Sequence, residues 1–221
     1  LHEEDDVFFI TFADRVSLIQ DLTRDRRRLS RALLEARPWG GTALYDALVQ
    51  SLETVARGRH DKQAILLLTD GTDTSSELGL GDAREWIEAT EVLVYGLGID
   101  AMRFGDPVEH VRFDWPGTVL PGNANVLQRP LREGPVDMDV LQDFAQASGG
   151  QAFKVTRTWE DGRADDIDLV LDEVSRELRN QYSLGYYPSN SGDGRFHKIQ
   201  VRIRDHDDYA VRARAGYTAA P

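Results

Sequence analysis

Four consecutive large aliphatics, Ile65-Leu66-Leu67-Leu68, run straight into Thr69-Asp70-Gly71, and this stretch constrains the fold more tightly than any other. An unbroken apolar run bounded by turn residues suits a strand covered on both faces, as in a parallel sheet sandwiched by helices. The run reads as a central strand over 64–69. Ligands of such sheets gather at the carboxyl ends of the strands. Asp70 falls at that end and Gly71 turns the chain away, so the carboxylate stands at the rim of the sheet. The pattern alone equally admits a plainer reading, in which Asp70 caps the following turn.

The flanking segments fit the same architecture. Val7-Phe8-Phe9-Ile10-Thr11-Phe12 reads as a buried strand, with 15–20 as its antiparallel neighbour across a turn at Ala13-Asp14. From Asp25 a helix places Leu29, Ala32, Leu33 and Ala36 on one face and Arg26, Arg27, Arg28 and Arg31 on the others. In a chain of net charge −12 these arginines read as a solvated face, not a phosphate site. Gly40-Gly41-Thr42-Ala43-Leu44-Tyr45-Asp46-Ala47 opens a second helix with an apolar stripe of Leu44, Leu48, Leu52 and Val55. Thr42 sits where an N-cap belongs, and a hydroxyl there also faces any site above the sheet.

Beyond the central strand, 81–90 reads as a helix and 91–95 as the next parallel strand. Gly96-Leu97-Gly98-Ile99-Asp100-Ala101 formally matches the glycine spacing of a dinucleotide fingerprint. That fingerprint needs a helix opening at its glycines, whereas residues 102–135 are loop-like, with Pro107, Pro116, Pro121, Pro130 and Pro135. The insertion is far longer than the usual strand-to-helix loop of about 2–6 residues. Helix 138–147, stopped by Gly149-Gly150, strand 152–155 and amphipathic helix 165–180 follow. Then 181–187, 196–204 and 209–217 alternate with period two, which predicts an antiparallel meander whose inner face carries Ile199, Val201, Ile203, Val211, Ala213 and Ala215. Lys198, Arg202, Arg204, Arg212 and Arg214 form the outer stripe. The expected fold is α/β, a doubly wound mainly parallel sheet over 1–180 with the meander of 181–221 packed on it.

Charge and composition exclude several functions. Thirty-eight acidic against 26 basic residues disfavour nucleic acid and anionic membrane as partners and favour cations. There is no cysteine for a disulfide or thiolate metal site, and no apolar run approaches the roughly 20 residues of a membrane-spanning helix. A haloacid dehalogenase-type phosphatase needs Asp-x-Asp where this chain has Asp70-Gly71-Thr72-Asp73. A serine hydrolase needs a Gly-x-Ser-x-Gly turn, which is absent. The five histidines are scattered. Catalysis is not expected.

Asp6-Val7-Phe8-Phe9-Ile10-Thr11-Phe12, Gly40-Gly41-Thr42-Ala43-Leu44-Tyr45-Asp46-Ala47, Leu66-Leu67-Leu68-Thr69-Asp70-Gly71 and Ala147-Ser148-Gly149-Gly150-Gln151-Ala152-Phe153 resemble, in order, the von Willebrand factor type A domain. Gln181-Tyr182-Ser183-Leu184-Gly185-Tyr186-Tyr187-Pro188 and Val211-Arg212-Ala213-Arg214-Ala215-Gly216-Tyr217 look like the tail of its bacterial branch, the acidobacteria-type von Willebrand factor A-related family. The resemblance implies a Rossmann-like sheet bearing a metal-ion-dependent adhesion site, where Mg²⁺, or Mn²⁺ or Ca²⁺, links the domain to a carboxylate of a protein ligand. By resemblance Thr42 and Asp70 are the metal residues, with Gly41, Gly71 and Asp73 on the ligand-binding rim. Hydroxyl and carboxylate oxygens suit such hard cations.

The family site also uses an Asp-x-Ser-x-Ser motif on a first strand lying between those matching 7–12 and 64–69. No such motif stands here, and Asp73-Thr74-Ser75-Ser76-Glu77 is the nearest approach. The resemblance therefore implies a domain lacking its first strand and helix, with a weak or empty metal site. The missing strand is supplied by preceding residues or by exchange with another chain, or the sheet has closed up. The expected function is adhesion or assembly through a protein ligand, in an exported or extracytoplasmic setting. A metal-free structural interaction module is the alternative, and a metal-dependent phosphohydrolase the remoter one.

Overall fold

The aliphatic run folds as predicted into a strand, β3 (Ala64–Thr69), which pairs in parallel with β4 (Leu93–Asp100), itself paired in parallel with β5 (Ala152–Thr156). This is seen in a computed structural model that describes residues 3–36, 40–70, 72–100, 136–156, 165–187, 192–204 and 211–219. The remaining elements are β1 (Val7–Phe12), β2 (Val16–Thr23), α1 (Arg26–Glu35), α2 (Leu44–Val55), α3 (Leu80–Glu88), α4 (Met138–Ser148), α5 (Asp165–Arg179), β6 (Phe196–Lys198) and β7 (Gly216–Thr218). The insertion expected over 102–135 lies outside the described residues.

The core is the face of the sheet covered by α2, α3 and α4, where Leu44, Leu48, Leu52, Ile87, Leu141 and Phe144 meet Ile65, Leu67 and Val94. On the other face Tyr95, in register with Leu66, is fully buried beside Glu177 of α5. That face is only partly roofed. Leu66 and Leu68 are 40% and 43% exposed, so β3 is not covered on both sides as its sequence suggests. Nor is β3 central among the described strands: it ends the three-stranded sheet, and β1 stands with β2 in a separate antiparallel pair. The expectation of one sheet holding 7–12 with 64–69 is corrected to that extent.

Two glycine pairs explain why strand and helix approach so closely. A Cβ on Gly96 or Gly98 would meet Leu141 or the Met138 sulfur of α4 at 3.0 and 2.5 Å. These glycines lie inside β4, which extends past the 91–95 expected from sequence, and serve helix–strand packing instead of opening a phosphate loop. In Ser148-Gly149-Gly150, Gly149 takes the left-handed conformation at φ 87° that closes α4. Ser148 Oγ, buried, accepts the Val94 amide at 2.9 Å, and a Cβ on Gly150 would fall 2.1 Å from the Val94 carbonyl.

The tail forms a smaller sheet than its alternation predicts. Among the described residues of the tail only β6 and β7 pair, antiparallel, and 181–187 joins no described strand. Next to β7 the tail turns toward the body of the domain: Ala215 donates to Ala147 O at 3.4 Å, and Arg214 lies against Gly149 and reaches Thr90 O with its side chain at 3.5 Å. Arg212 ion-pairs with Glu177 at 2.5 Å, next to the buried Tyr95. Burial, with the Glu177 carboxylate beside it, pushes the Tyr95 phenol far up.

At the amino end of β1, Asp6 binds Arg59 at 2.8 and 3.0 Å, Arg24 at 3.2 Å and His60 at 3.2 Å. The Arg59 hydrogen bonds foremost, with Arg24 adding, hold its carboxyl at about 2, below its ordinary 3.8. A depressed carboxyl stabilises the fold fully above its unfolded pKa and loses that contribution as pH falls toward the folded one. Acid unfolding followed by circular dichroism should therefore show less loss of stability for Asp6→Asn than for the parent between about pH 4 and about pH 2. Gly150→Ala, with backbone in its path, should lower stability by about 3 kcal/mol in urea unfolding.

Candidate functional site

The amino end of α2 and the loop after β3 are built as one unit. The N-cap residue of α2 is Ala43, which has no side-chain acceptor, so the first amides of the helix need partners from elsewhere. The loop supplies them. Asp73 Oδ1 accepts the Leu44 amide at 2.8 Å, and Ser76 Oγ accepts the Tyr45 and Asp46 amides at 3.0 and 3.2 Å while donating to Asp73 at 2.6 Å. In return, Asp46 accepts the Glu77 and Leu78 amides at 2.9 and 3.0 Å.

Thr42 sits one residue before the cap and does not cap the helix as its position suggested. Its amide donates to Thr74 Oγ1 at 2.9 Å, and its carbonyl accepts the Thr74 and Ser75 amides at 2.8 and 3.1 Å. Asp14 accepts the Gly41 amide. Gly40 has φ 108°, and a Cβ on it would fall within 1.9 Å of the Asp14 carboxylate. The strand-to-strand turn, the glycines and the loop after β3 are thus interlocked around Thr42.

The predicted residues are brought together in part. Thr42, Gly41 and Asp73 share this rim. Asp70 lies at the carboxyl end of β3 with its side chain exposed, as expected. Gly71 lies outside the described residues. Asp73 is on the rim, but its carboxylate is committed to a helix end. Asp14, Asp46, Thr74 and Ser76 join the rim without being predicted to; the Asp- and Ser-rich string 70–76 after the strand is the sequence signal for the last two.

The rim is electronegative. Burial, then the Asp73 carboxylate, then that of Asp137 raise the pKa of Tyr45, whose ring meets Phe144 edge-on at 6.1 Å. Asp137 caps α4 by accepting the Val140 amide at 3.2 Å, so the segment following the insertion returns to this rim. Among the described residues no group of three or more His, Asp or Glu side chains is placed to hold a metal. Thr42 and Asp70 offer two oxygens of the right type, which alone are too few for a hard cation. Among the described residues no helix is long and apolar enough to cross a membrane.

Asp73→Ala should lower stability by about 1–2 kcal/mol, the cost of losing an N-cap acceptor. Asp70→Ala, at an exposed position, should stay within about 0.5 kcal/mol of the parent. Urea midpoints of the two variants test the difference.

Residues 1–72 match a family model described as the von Willebrand factor type A domain. Two solved structures share the fold. The conserved hypothetical protein BatB from Bacteroides thetaiotaomicron aligns with a TM-score of 0.54 at 19% identity over 82% of each chain. An aerotolerance-related membrane protein from Bacteroides fragilis NCTC 9343 aligns with a TM-score of 0.55 at 18% identity, covering 81% of this chain and 82% of its own. No curated protein matches the chain.

Proposed function

Since residues 1–72 carry the von Willebrand factor type A match and the described chain has that fold, we propose that it is a non-enzymatic protein-interaction domain that engages its partner at the rim joining α2 to the end of β3. Domains of this type are generally interaction modules. The observation that carries the choice of site is the reciprocal capping between Asp73, Ser76 and Asp46. It fixes Thr42 on a rim with Asp70 at the neighbouring strand end, without drawing the Asp70 side chain into the capping network. A preorganised rim loses little conformational entropy on binding.

The finer reading is that this rim engages a carboxylate of a protein ligand through Mg²⁺ or Mn²⁺, with Thr42 and Asp70 among the donors. Support comes from the oxygen chemistry of the two side chains and the net charge of −12. A cation held by two protein oxygens relies on water for the rest of its shell, as Mg²⁺ readily does. An extracytoplasmic setting is the companion proposal, supported by the description of the Bacteroides fragilis structure as a membrane protein.

Calorimetric titration of Mn²⁺ into the chain should show weak uptake, on the order of millimolar, that Asp70→Ala removes without unfolding the protein. Uptake unchanged by Asp70→Ala, or none at all, would leave the metal-free interaction module as the function.

A further inference from the structure

We propose that the segment 181–187 is a self-association strand, through which two copies of the chain pair antiparallel about a two-fold axis at Leu184. The inference is independent of the rim and of any metal. It starts from exposure. Tyr187, Tyr182 and Leu184 are 103%, 89% and 75% exposed, more than any other large hydrophobic side chain among the described residues. Every residue of 182–187 is exposed, so neither set of alternating side chains is covered.

The segment is nonetheless held in place. Lys62 Nζ donates to Gln181 O at 3.2 Å, just after α5, and the Tyr186 ring meets that of Tyr217 in β7 edge-on at 6.1 Å. Between these two ties, 182–185 makes no backbone hydrogen bond among the described residues and pairs with neither β6 nor β7. A row of unpaired N–H and C=O groups in an apolar segment is a template for pairing with another chain.

The sequence specifies that chain as a second copy. Tyr182-Ser183-Leu184-Gly185-Tyr186 has the same character read in either direction: aromatic, small, aliphatic, small, aromatic. A two-fold contact needs self-complementarity of this kind. With Leu184 on the axis, antiparallel pairing sets Leu184 against its own copy, Tyr182 against Tyr186 of the second copy, and Ser183 against Gly185. The bulky pairs share one face, where cross-strand aromatic contacts stabilise a ladder. Charge argues the same way. The chain is 29% charged with a net charge of −12, yet 181–187 has no charged residue, so two acidic chains meet here without bringing carboxylates together. An aromatic side chain buries about 150–250 Å². Tyr182, Leu184, Tyr186 and Tyr187 thus supply a large part, but not all, of the about 800 Å² per partner of a standard interface. The dimer is accordingly weak, with a Kd on the order of micromolar or above.

Sedimentation equilibrium of the 221-residue chain tests the pairing. A monomer–dimer equilibrium should appear and should strengthen with salt, because screening relieves the repulsion between two acidic chains. Leu184→Lys sets two ammonium groups opposite each other on the axis and should weaken dimerisation by roughly tenfold or more. Leu169→Lys, at a leucine that is 65% exposed on α5, should leave it unchanged. The register can be read by cross-linking, since the chain contains no cysteine. Leu184→Cys lies opposite its own copy, within the about 7 Å between Cα atoms that a disulfide needs, and should oxidise readily to a covalent dimer. Tyr187→Cys is at the more exposed position but roughly 20 Å from its copy in this register, and should oxidise far more slowly. A chain monomeric at every concentration, an association that Leu184→Lys leaves intact or that salt weakens, or equal oxidation at the two positions overturns the proposal. So does amide exchange at 182–186 that is slowed equally at every protein concentration, because the segment would then be paired within its own chain.

Discussion

The structure depends on one unmet need, the open amino end of α2. A helix start leaves amide groups without intrahelical partners, and Ala43 at the N-cap cannot supply one. The need is met from 29 to 31 residues away in sequence, by Asp73 and Ser76 of the loop after β3. Through that capping the loop is held on α2, and α2 in turn bridges β1, β2 and β3. Asp46, reaching back to the loop amides, makes the tie mutual. Acidic side chains favour helix amino ends electrostatically as well as through hydrogen bonds. The same carboxylates therefore give the rim its charge and its rigidity.

A second set of contacts seats α4 beside α2 on the same face of the sheet. Gly96, Gly98 and Gly150 let α4 and its following turn approach β4 more closely than side chains would allow. Ser148 satisfies the Val94 amide inside that contact. The turn then receives the tail, where Arg214 lies against Gly149 and Arg212 meets Glu177 near Tyr95. Glycine, serine and arginine in these positions act as packing and hydrogen-bonding devices. The Gly-x-Gly spacing in β4 makes room for the Leu141, Met138 and Val136 side chains, and Gly149 and Gly150 for neighbouring backbone.

The capping loop organises a polar rim at the amino end of α2, where Asp73, Ser76 and Asp46 hold each other's backbone amides. A change in how α2 sits would therefore move this rim together with the strands that α2 packs on.

Sequence alone determined the elements and their order. The aliphatic run 64–69 had to be a strand, and the stripe Leu44, Leu48, Leu52 and Val55 had to be a helix face, because side-chain period and burial are coupled locally. It also placed Asp70 at a strand end and Thr42 beside a helix start. The tertiary structure decided what these positions do. Whether Asp73 is a free ligand or a helix cap depends on which amide lies opposite it across 29 residues of chain, and local pattern holds no record of that distance. Whether 64–69 is flanked on both sides, and how much of 181–217 forms a sheet, depends likewise on which strand edges and carbonyls reach one another first. Those are non-local hydrogen bonds, and only the folded arrangement fixes them.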